Sequence, residues 1–292
     1  MNLHGLRVFY TVATHRSFSL AAEALYISQP AVSKAVRELE HTIGLALVER
    51  AGKGKTIRLT EAGQALLEHA TGIFAIEAAA EQDLKARAGL TRGQLNIGAS
   101  TTVASYWLSN LLAHFNRAHP DIDITLNVAN SSHIEQALLQ NDIELGYVEG
   151  KIAHPLIHCE HWKSESLSVF CGGATTLQKA SSEVLERATW LVREAGSGTR
   201  SVNDQYFAAH HIAPSRTITL GSNEAIVHAI AAGMGIGLLP DVVAAPLMAI
   251  NTVHRLPVIS QLQPDSRPLY GLTHTTRPRS PAAEAFLHLS RM

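Results

Sequence analysis

The sequence has few of the features that secreted, disulfide-linked or membrane-spanning proteins need. Only two of its 292 residues are cysteine, Cys159 and Cys171, which excludes a disulfide framework and fits a reducing compartment. No apolar run approaches the roughly 20 uncharged residues of a membrane span, and residues 1–7 lack the apolar core and the cleavage site of a secretory signal. We therefore expect a cytoplasmic protein without membrane contact.

The composition is that of a folded protein with an uneven charge distribution. Apolar residues make up 46% of the chain and charged residues 17%, and the length of 292 residues suits two or three folding units. Residues 1–60 carry eight Lys and Arg against four acidic residues, although the formal charge of the whole chain is −1. A basic head on an acidic body favours a head that contacts a polyanion, although chance clustering explains the balance equally well.

The first part of the chain carries the spacing and capping signals of a helix-turn-helix. Apolar residues recur at helical spacing over residues 3–14, Ser17 can cap a second helix, and a third helix over about 30–43 ends at Gly44. In helix-turn-helix proteins the second helix of the motif enters the DNA major groove, where polar side chains read bases. The alternative is a solvated helix face. The candidate DNA-binding residues of this helix are Ser28, Gln29, Pro30, Ser33, Lys34 and Arg37.

Residues 47–60 predict a two-stranded hairpin with a glycine-rich basic tip. Basic side chains at such a tip would lie along DNA phosphates and add salt-dependent affinity without sequence preference. A nucleoside triphosphate site is rejected, because Glu49 stands where the first glycine of a phosphate-binding loop is needed. The candidate phosphate-binding residues are Arg50, Lys53, Lys55 and Arg58.

From residue 61 to about 88 the chain is rich in Ala, Leu, Glu and Gln and has no proline, which predicts one helix of roughly 42 Å. A narrow apolar stripe on so long a helix usually meets a second helix. The alternative is that the helix packs on its own domain. The stripe consists of Ala62, Leu66, Ile73, Ala80 and Leu84.

The rest of the chain alternates between apolar runs and helical stretches, which predicts parallel sheets covered by helices. Two loops that each follow a strand and open a helix, residues 99–102 and 193–200, offer hydroxyls and backbone N–H groups to an anion. Arg200 adds a guanidinium with bidentate geometry. Helix capping is the alternative role for the Ser and Thr of these loops. The predicted strands are 95–98, 124–128, 145–148, 167–171, 190–192, 218–220, 236–239 and 269–272.

Other kinds of site are less well supported. A group of His154, His158, Cys159 and His161 matches no standard zinc spacing, so neither a metal nor a cofactor is expected. The sequence has no nucleophile elbow and no helical His-Glu-x-x-His motif, and no catalytic residue is assigned. The competing classes are an enzyme or solute-binding protein with an incidental helix-turn-helix, and an architectural DNA protein without an effector site.

The head resembles the amino-terminal signature of LysR-type transcriptional regulators. It departs from that signature at Val48, where the family usually has phenylalanine, and in the tip at 52–55. Both departures concern the hairpin and not the candidate DNA-reading helix. The resemblance is carried by Asn2-Leu3, Ser17-Phe18-Ser19, Ala21-Ala22-Glu23, Ser28-Gln29-Pro30-Ala31-Val32-Ser33, Leu39-Glu40, Gly44 and Ala62-Gly63.

The resemblance implies an N-terminal all-α winged helix-turn-helix, a long linker helix, and an α/β body of two lobes like that of periplasmic solute-binding proteins. It also implies that the protein binds promoter DNA as a homodimer or homotetramer, with RNA polymerase as a candidate partner. The implied boundaries are 1–60 for the DNA-binding domain, 61–92 for the linker, dimerisation helix and hinge, 93–292 for the effector-binding domain, about 93–160 and 265–292 for lobe I, and about 161–264 for lobe II.

The effector is expected to be a small anion. Residues 193–200, with 146–150 upstream, resemble the subgroup of carbon-fixation-operon and sulfite-responsive regulators. The two loops offer few apolar side chains to line a binding pocket, which favours an oxyanion such as sulfite or sulfate. A small carboxylated or phosphorylated metabolite is the alternative. Glu149 would repel an anion unless it points away, pairs with Arg200 or bonds a protonated ligand oxygen. The expected effector-binding residues are Ser100, Thr101, Thr102, Glu149, Ser197, Thr199 and Arg200.

Overall fold

The computed structural model describes residues 1–49, 57–87, 93–173 and 179–291. The chain forms two compact units, Met1–Glu81 and Gln82–Met292, and the boundary between them falls inside a long helix. Within the described residues, no helix is both long enough and apolar enough to span a membrane.

The first unit begins with three helices, α1 (Leu3–His15), α2 (Phe18–Ala24) and α3 (Gln29–Ile43). Each follows a residue whose side chain accepts a hydrogen bond from the first turn, namely Asn2, Ser17 and Ser28. Gly44 ends α3 at φ +79°, a left-handed conformation that glycine adopts without strain. The three helices predicted from the sequence are therefore confirmed.

A short hairpin follows, in which β1 (Val48–Glu49) pairs antiparallel with β2 (Arg58–Leu59). The Glu40 carboxylate of α3 accepts hydrogen bonds from the N–H groups of Leu47 and Val48 at 2.8 and 3.2 Å. These bonds fix the point at which the hairpin leaves the helices. Of the predicted phosphate-binding residues, Arg50, Lys53 and Lys55 lie outside the described residues, and Arg58 is exposed on β2.

Helix α4 (Glu61–Arg87) packs the first half of its length on the core of its own unit. Leu66 and Ile73, two members of the predicted stripe, belong to this contact. The alternative left open by the sequence, packing on its own domain, is therefore present in this half, where the helix packs its apolar side against α1 and the hairpin. Farther along the same helix, Ile76 and Leu84 are 53% and 65% exposed.

The second unit has two lobes, each built on a five-stranded mixed sheet. Lobe I contains β3 (Gly93–Ala99), β4 (Ile122–Val128), β5 (Leu145–Glu149), β6 (Ile157–Glu165) and β12 (Arg267–His274), in the order β4-β3-β5-β12-β6. Its helices are a π-helix (Val103–Leu108) that continues into α5 (Ser109–Ala118), α6 (Ser131–Leu139) and α11 (Pro281–Ser290).

Lobe II repeats this arrangement with a sheet in the order β11-β7-β10-β8-β9. Its strands are β7 (Leu167–Gly172), β8 (Thr189–Arg193), β9 (Arg216–Leu220), β10 (Ile236–Pro240) and β11 (Val253–Arg255). Its helices are α7 (Ser182–Arg187), α8 (Gly198–Ala209), α9 (Asn223–Ala231) and α10 (Asp241–Ala249), with a 3₁₀ turn at Ser260–Leu262.

The sheets differ from the prediction in two respects. All eight predicted strands are present, but β6 and β11 were not predicted. The sheets are also not purely parallel, because β12 runs antiparallel to β5 and β6, and β7 runs antiparallel to β10 and β11. Antiparallel neighbours need no crossover helix, and β7 and β12 are the strands by which the chain enters each lobe after leaving the other.

The chain passes from lobe I to lobe II at Ser166 and returns through residues 263–266. The first crossing lies later than the predicted position near residue 160, because β6 continues in the sheet of lobe I as far as Glu165. Glu165 and Arg267, the residues at the two crossings, face each other as register partners on β6 and β12.

Candidate functional sites

Helix α3 turns its polar residues to solvent. Its apolar side, with Val32, Val36 and Leu39, is buried against the other helices of the first unit. Polar residues on the opposite side of a helix that follows a tight turn are available to the edges of bases. Of the predicted DNA-binding residues, Ser28, Gln29, Pro30, Lys34 and Arg37 are exposed and Ser33 is half-buried.

Contacts within the helix hold two of these side chains before any DNA is bound. Gln29 Nε2 donates a hydrogen bond to Ser33 Oγ at 2.9 Å, and Lys34 Nζ lies 3.7 Å from the Glu38 carboxylate. Tyr26, which the sequence analysis did not select, is 95% exposed at φ +55° in the turn before α3. From this turn a phenolic hydroxyl can donate to a phosphate. The sequence signal that could have identified Tyr26 was an aromatic residue inside the predicted turn.

Replacing Gln29 or Arg37 by alanine is expected to relax base preference, at roughly 1–3 kcal/mol for each true base contact. The affinity for the preferred promoter should fall, while the affinity for unrelated DNA changes little. Gln64→Ala on the exposed surface of α4 is the matched control and should leave both unchanged. Selection of binding sequences from a random pool gives the test, and an unaltered sequence logo for Gln29→Ala would show that Gln29 reads no base.

In the second unit, the N-termini of four helices meet between the lobes. In lobe I, the helix that continues as the π-helix begins at Thr101 and α6 begins after Asn130; in lobe II, α8 begins after Ser197 and α9 after Ser222. The first N–H groups of a helix have no partner within the helix and carry positive potential, so such a place favours negative charge. We call the polar residues gathered here the interlobe site; its members are Ser100, Thr101, Thr102, Arg193, Glu194, Thr199, Asn223 and Arg267.

A chain of hydrogen bonds crosses the interlobe site. Asn223 Nδ2 donates to Thr102 Oγ1 of lobe I at 2.7 Å and to Thr199 Oγ1 of lobe II at 3.2 Å. Arg267 Nη1 donates to the same Thr199 oxygen at 2.8 Å. All four side chains are almost completely buried. The structure thus joins Thr102 and Thr199, predicted on facing loops, through an asparagine and an arginine that were not predicted.

Arg267 is flanked by two buried carboxylates. Its Nε donates to Glu165 Oε1 at 2.6 Å, and its Nη2 lies 3.4 Å from Glu149 Oε1. Trp107 Nε1 donates to the other oxygen of Glu165 at 2.9 Å. Of the three arrangements considered for Glu149, pairing with an arginine is the one present, but the partner is Arg267 and not Arg200.

Arg193, at the end of β8, is another buried arginine of this site. Its Nε and Nη2 donate to the two carboxylate oxygens of Glu194 at 2.8 and 2.9 Å, and its Nη1 donates to Thr101 Oγ1 at 3.2 Å across the lobes. Partial burial raises the pKa of the Glu194 carboxyl, but hydrogen bonds from Arg193, from its own backbone and from Asn130 outweigh burial and lower the pKa below its ordinary value. Glu194 is therefore ionised at neutral pH.

Arg200 is engaged on the surface of α8. Its Nε lies 2.9 and 3.1 Å from the carboxylate oxygens of Asp204, and its Nη1 donates to the backbone oxygen of Arg193 at 3.3 Å. The structure therefore places Arg200 beside Arg193, with its charge paired outside the chain of buried hydrogen bonds. A role for Arg200 in effector binding stays a prediction.

Two buried atoms of the interlobe site, Ser100 Oγ and Asn223 Oδ1, have no hydrogen-bond partner among the described residues. The backbone N–H of Ser100 donates to Tyr147 O at 3.0 Å, so the hydroxyl alone is unsatisfied. Such an atom costs on the order of 1–3 kcal/mol, which a bound ligand can offset. Ser197, also predicted, is 3% exposed at the start of α8.

The comparison with protein families covers both units. Residues 3–64 match the bacterial regulatory helix-turn-helix protein, lysR family, and residues 88–292 match the LysR substrate binding domain. The chain belongs to the LysR family of transcriptional regulators. LysR-type regulators are not enzymes; they bind promoter DNA as dimers or tetramers and respond to small-molecule effectors. The fold class predicted from the sequence is confirmed.

Known LysR-type regulators resemble the chain over most of its length. It is 38% identical over 250 residues to the HTH-type transcriptional regulator CfxR of Cupriavidus necator, covering 82% of this chain and 75% of the relative. It is 32% identical over 291 residues to the RuBisCO operon transcriptional regulator of Allochromatium vinosum, covering 98% and 94%. The resemblance to carbon-fixation-operon regulators is thus confirmed.

Among solved structures, the chain is similar to the regulatory domain of CcmR from Synechocystis PCC6803 in complex with 2-PG. The sequence identity is 26% and the TM-score 0.62, over 68% of this chain and 96% of that domain.

Proposed function

We propose that this LysR-type regulator is controlled by a small anion, in the first place an inorganic oxyanion such as sulfite or sulfate, bound at the interlobe site. The observation that supports the proposal most is the pair of buried arginines, Arg193 and Arg267, beside the N-termini of four helices. Guanidinium groups and helix N-termini both stabilise oxyanions. The unsatisfied hydroxyl of Ser100 adds a donor for a ligand oxygen.

A small phosphorylated metabolite is the second candidate. It is supported by the similarity to the CcmR regulatory domain, which was solved in complex with 2-PG. It is also supported by the relative from Allochromatium vinosum, a RuBisCO operon transcriptional regulator. The hydroxyl, amide and guanidinium groups of the interlobe site suit a phosphate as well as a sulfate, because both present several acceptor oxygens to donors.

The proposed ligand would act by shifting the positions of the two lobes. Direct hydrogen bonds already join the lobes through Thr102 and Asn223 and through Thr101 and Arg193. A ligand that contacts groups of both lobes changes the population of their arrangements by its differential affinity for them. Promoter activity would follow that population.

Calorimetry with sulfite, sulfate and 2-PG is expected to detect saturable binding, and Thr102→Ala should weaken it by on the order of tenfold. The reason is that a hydrogen bond to a charged ligand contributes about 1.5–3 kcal/mol. Arg200→Ala tests the prediction from the sequence in the same way. Thr252→Ala and Arg279→Ala, two changes on exposed surfaces away from the interlobe site, are the matched controls. An anion whose affinity survives both Thr102→Ala and Arg200→Ala would have to bind elsewhere.

A further inference from the structure

The carboxylate of Glu194 already pairs with the guanidinium of Arg193 as a bound anion would. The two carboxylate oxygens of Glu194 lie 2.8 and 2.9 Å from Nε and Nη2 of Arg193. This side-by-side pairing is the geometry in which a guanidinium binds two oxygens of a carboxylate, phosphate or sulfate. A ligand anion that approaches Arg193 from this side must therefore replace Glu194.

The same carboxylate also joins the lobes. Glu194 belongs to lobe II and accepts a hydrogen bond from the side chain of Asn130, the residue that caps α6 of lobe I. Two residues farther along, the backbone oxygen of Gly196 accepts a hydrogen bond from the Ser132 N–H at 3.2 Å. Displacing Glu194 from Arg193 would therefore loosen a contact that holds the N-terminus of α6 against lobe II.

Of the two buried arginines, Arg193 has the partner that is easier to displace. The side chain of Glu194 is 33% exposed, so it can turn into solvent and regain hydration. Arg267 is held by Glu149 and Glu165, whose side chains are 3% and 2% exposed, and neither can reach water without opening the core. A buried charge that loses its partner is costly, so an anion exchanges with Glu194 at less cost than with the partners of Arg267.

We propose that Glu194 is a built-in competitor of the effector: the anion takes the place of its carboxylate on Arg193, and Glu194 turns into solvent and releases Asn130. This inference rests on the proposed function, since it assumes an anionic effector at the interlobe site. Glu194 then sets the affinity, because every ligand has to outcompete an internal carboxylate. It also sets the specificity, because a ligand with two suitably spaced oxygens replaces the lost bonds and a halide does not.

The test uses the full-length protein and calorimetric titration with sulfate, sulfite and chloride. Glu194→Gln keeps the size of the side chain but removes its charge, so the sulfate or sulfite affinity is expected to rise about tenfold or more, because charge-assisted bonds to Arg193 become neutral ones. The affinity for chloride should rise less. Glu160→Gln, which removes the carboxylate of an exposed ion pair with Arg291, is the matched control and should leave all three affinities unchanged.

A second measurement follows the release of Asn130. Hydrogen–deuterium exchange at residues 130–134 should be faster in Glu194→Gln without ligand, and saturating sulfate should speed exchange at the same residues in the unsubstituted protein. If sulfate or sulfite binds and Glu194→Gln neither tightens binding nor alters this exchange, the competitor role is overturned while the proposed function stands. If neither protein binds sulfate, sulfite or 2-PG, the proposed anionic effector is wrong and the inference falls with it.

Discussion

Replacing Arg267 by glutamine is expected to lower the free energy of unfolding of the second unit by about 3–5 kcal/mol. As whole residues, Arg267, Glu149 and Glu165 are 2%, 3% and 4% exposed. The arginine is the counter-charge of both carboxylates. Removing it leaves two negative charges close together in a poorly hydrated place. It also removes the hydrogen bond to Thr199 that links the arginine to lobe II.

Urea unfolding followed by tryptophan emission measures this loss selectively. Trp107, Trp162 and Trp190 are the three tryptophans of the chain and all belong to the second unit. Arg255→Gln is the matched control, because Arg255 pairs with Asp241 at 2.8 Å while its own side chain is 55% exposed, and such a pair contributes about 0–1 kcal/mol. Equal unfolding midpoints for the two variants would show that the buried cluster does not stabilise the fold.

Glutamates at Ile76 and Leu84 together are expected to separate the protomers and to lower promoter affinity by about 10²- to 10⁴-fold. Both side chains are more than half exposed on α4, and a spacing of eight residues places them about 80° apart around the helix axis, within one broad face. A dimer that engages two half-sites gains an affinity of this order from linkage alone, and the monomer loses it. The positions Leu66 and Ile73 are unsuitable for this test, because charges there would disrupt the core of the first unit.

Sedimentation and binding to a promoter fragment give the two readouts. The matched control carries glutamates at Gln64 and Ala78, two exposed positions of α4 that are not large apolar residues, and should leave both readouts unchanged. Circular dichroism checks that the helices of each variant are intact. An unchanged oligomer in the Ile76 and Leu84 variant would exclude the second half of α4 as the dimer contact.

The first unit could be predicted from sequence because its determinants are local. Ser17 and Ser28 cap helices that start within one residue of them, and Gly44 terminates α3 through its own backbone conformation. Each signal acts over a few residues, so a single sequence displays it completely. The sequence did not decide what the first half of α4 packs against. An apolar stripe on a helix looks the same whether it contacts its own domain or another chain.

The interlobe site was only half predictable for the opposite reason. Thr102 and Thr199 follow strands and open helices, a local pattern, whereas Arg267 reaches Thr199 from 68 residues away. No spacing rule connects residues that far apart, so Arg267 and Asn223 were missed. Arg200 shows the converse case: its pairing with Asp204 is an i, i+4 pair on a helix, which the sequence displays and which could have been weighed against an anion-binding role.

The missed strand β6 shows how an edge strand hides from a search for apolar runs. Its exposure pattern is irregular, with His158, Glu160 and His161 turned to solvent, and its pairing with β12 contains a register shift between Leu269 and Tyr270. An edge strand with one solvated face and a bulge lacks a continuous apolar run. Because β6 continues to Glu165, the first crossing between the lobes lies at Ser166 and not near residue 160 as the resemblance implied.

The pairing of Glu165 with Arg267 has a consequence for how regulators of this architecture can be recombined. Lobe II is a continuous segment inserted into lobe I, and the residues on either side of the insertion are register partners joined by an ion pair. A segment whose two ends meet in space can be exchanged for another without stretching its host. Grafts of lobe II between regulators should therefore be spliced inside this pair, keeping Glu165 and Arg267 with the recipient and a threonine equivalent to Thr199 in the donor.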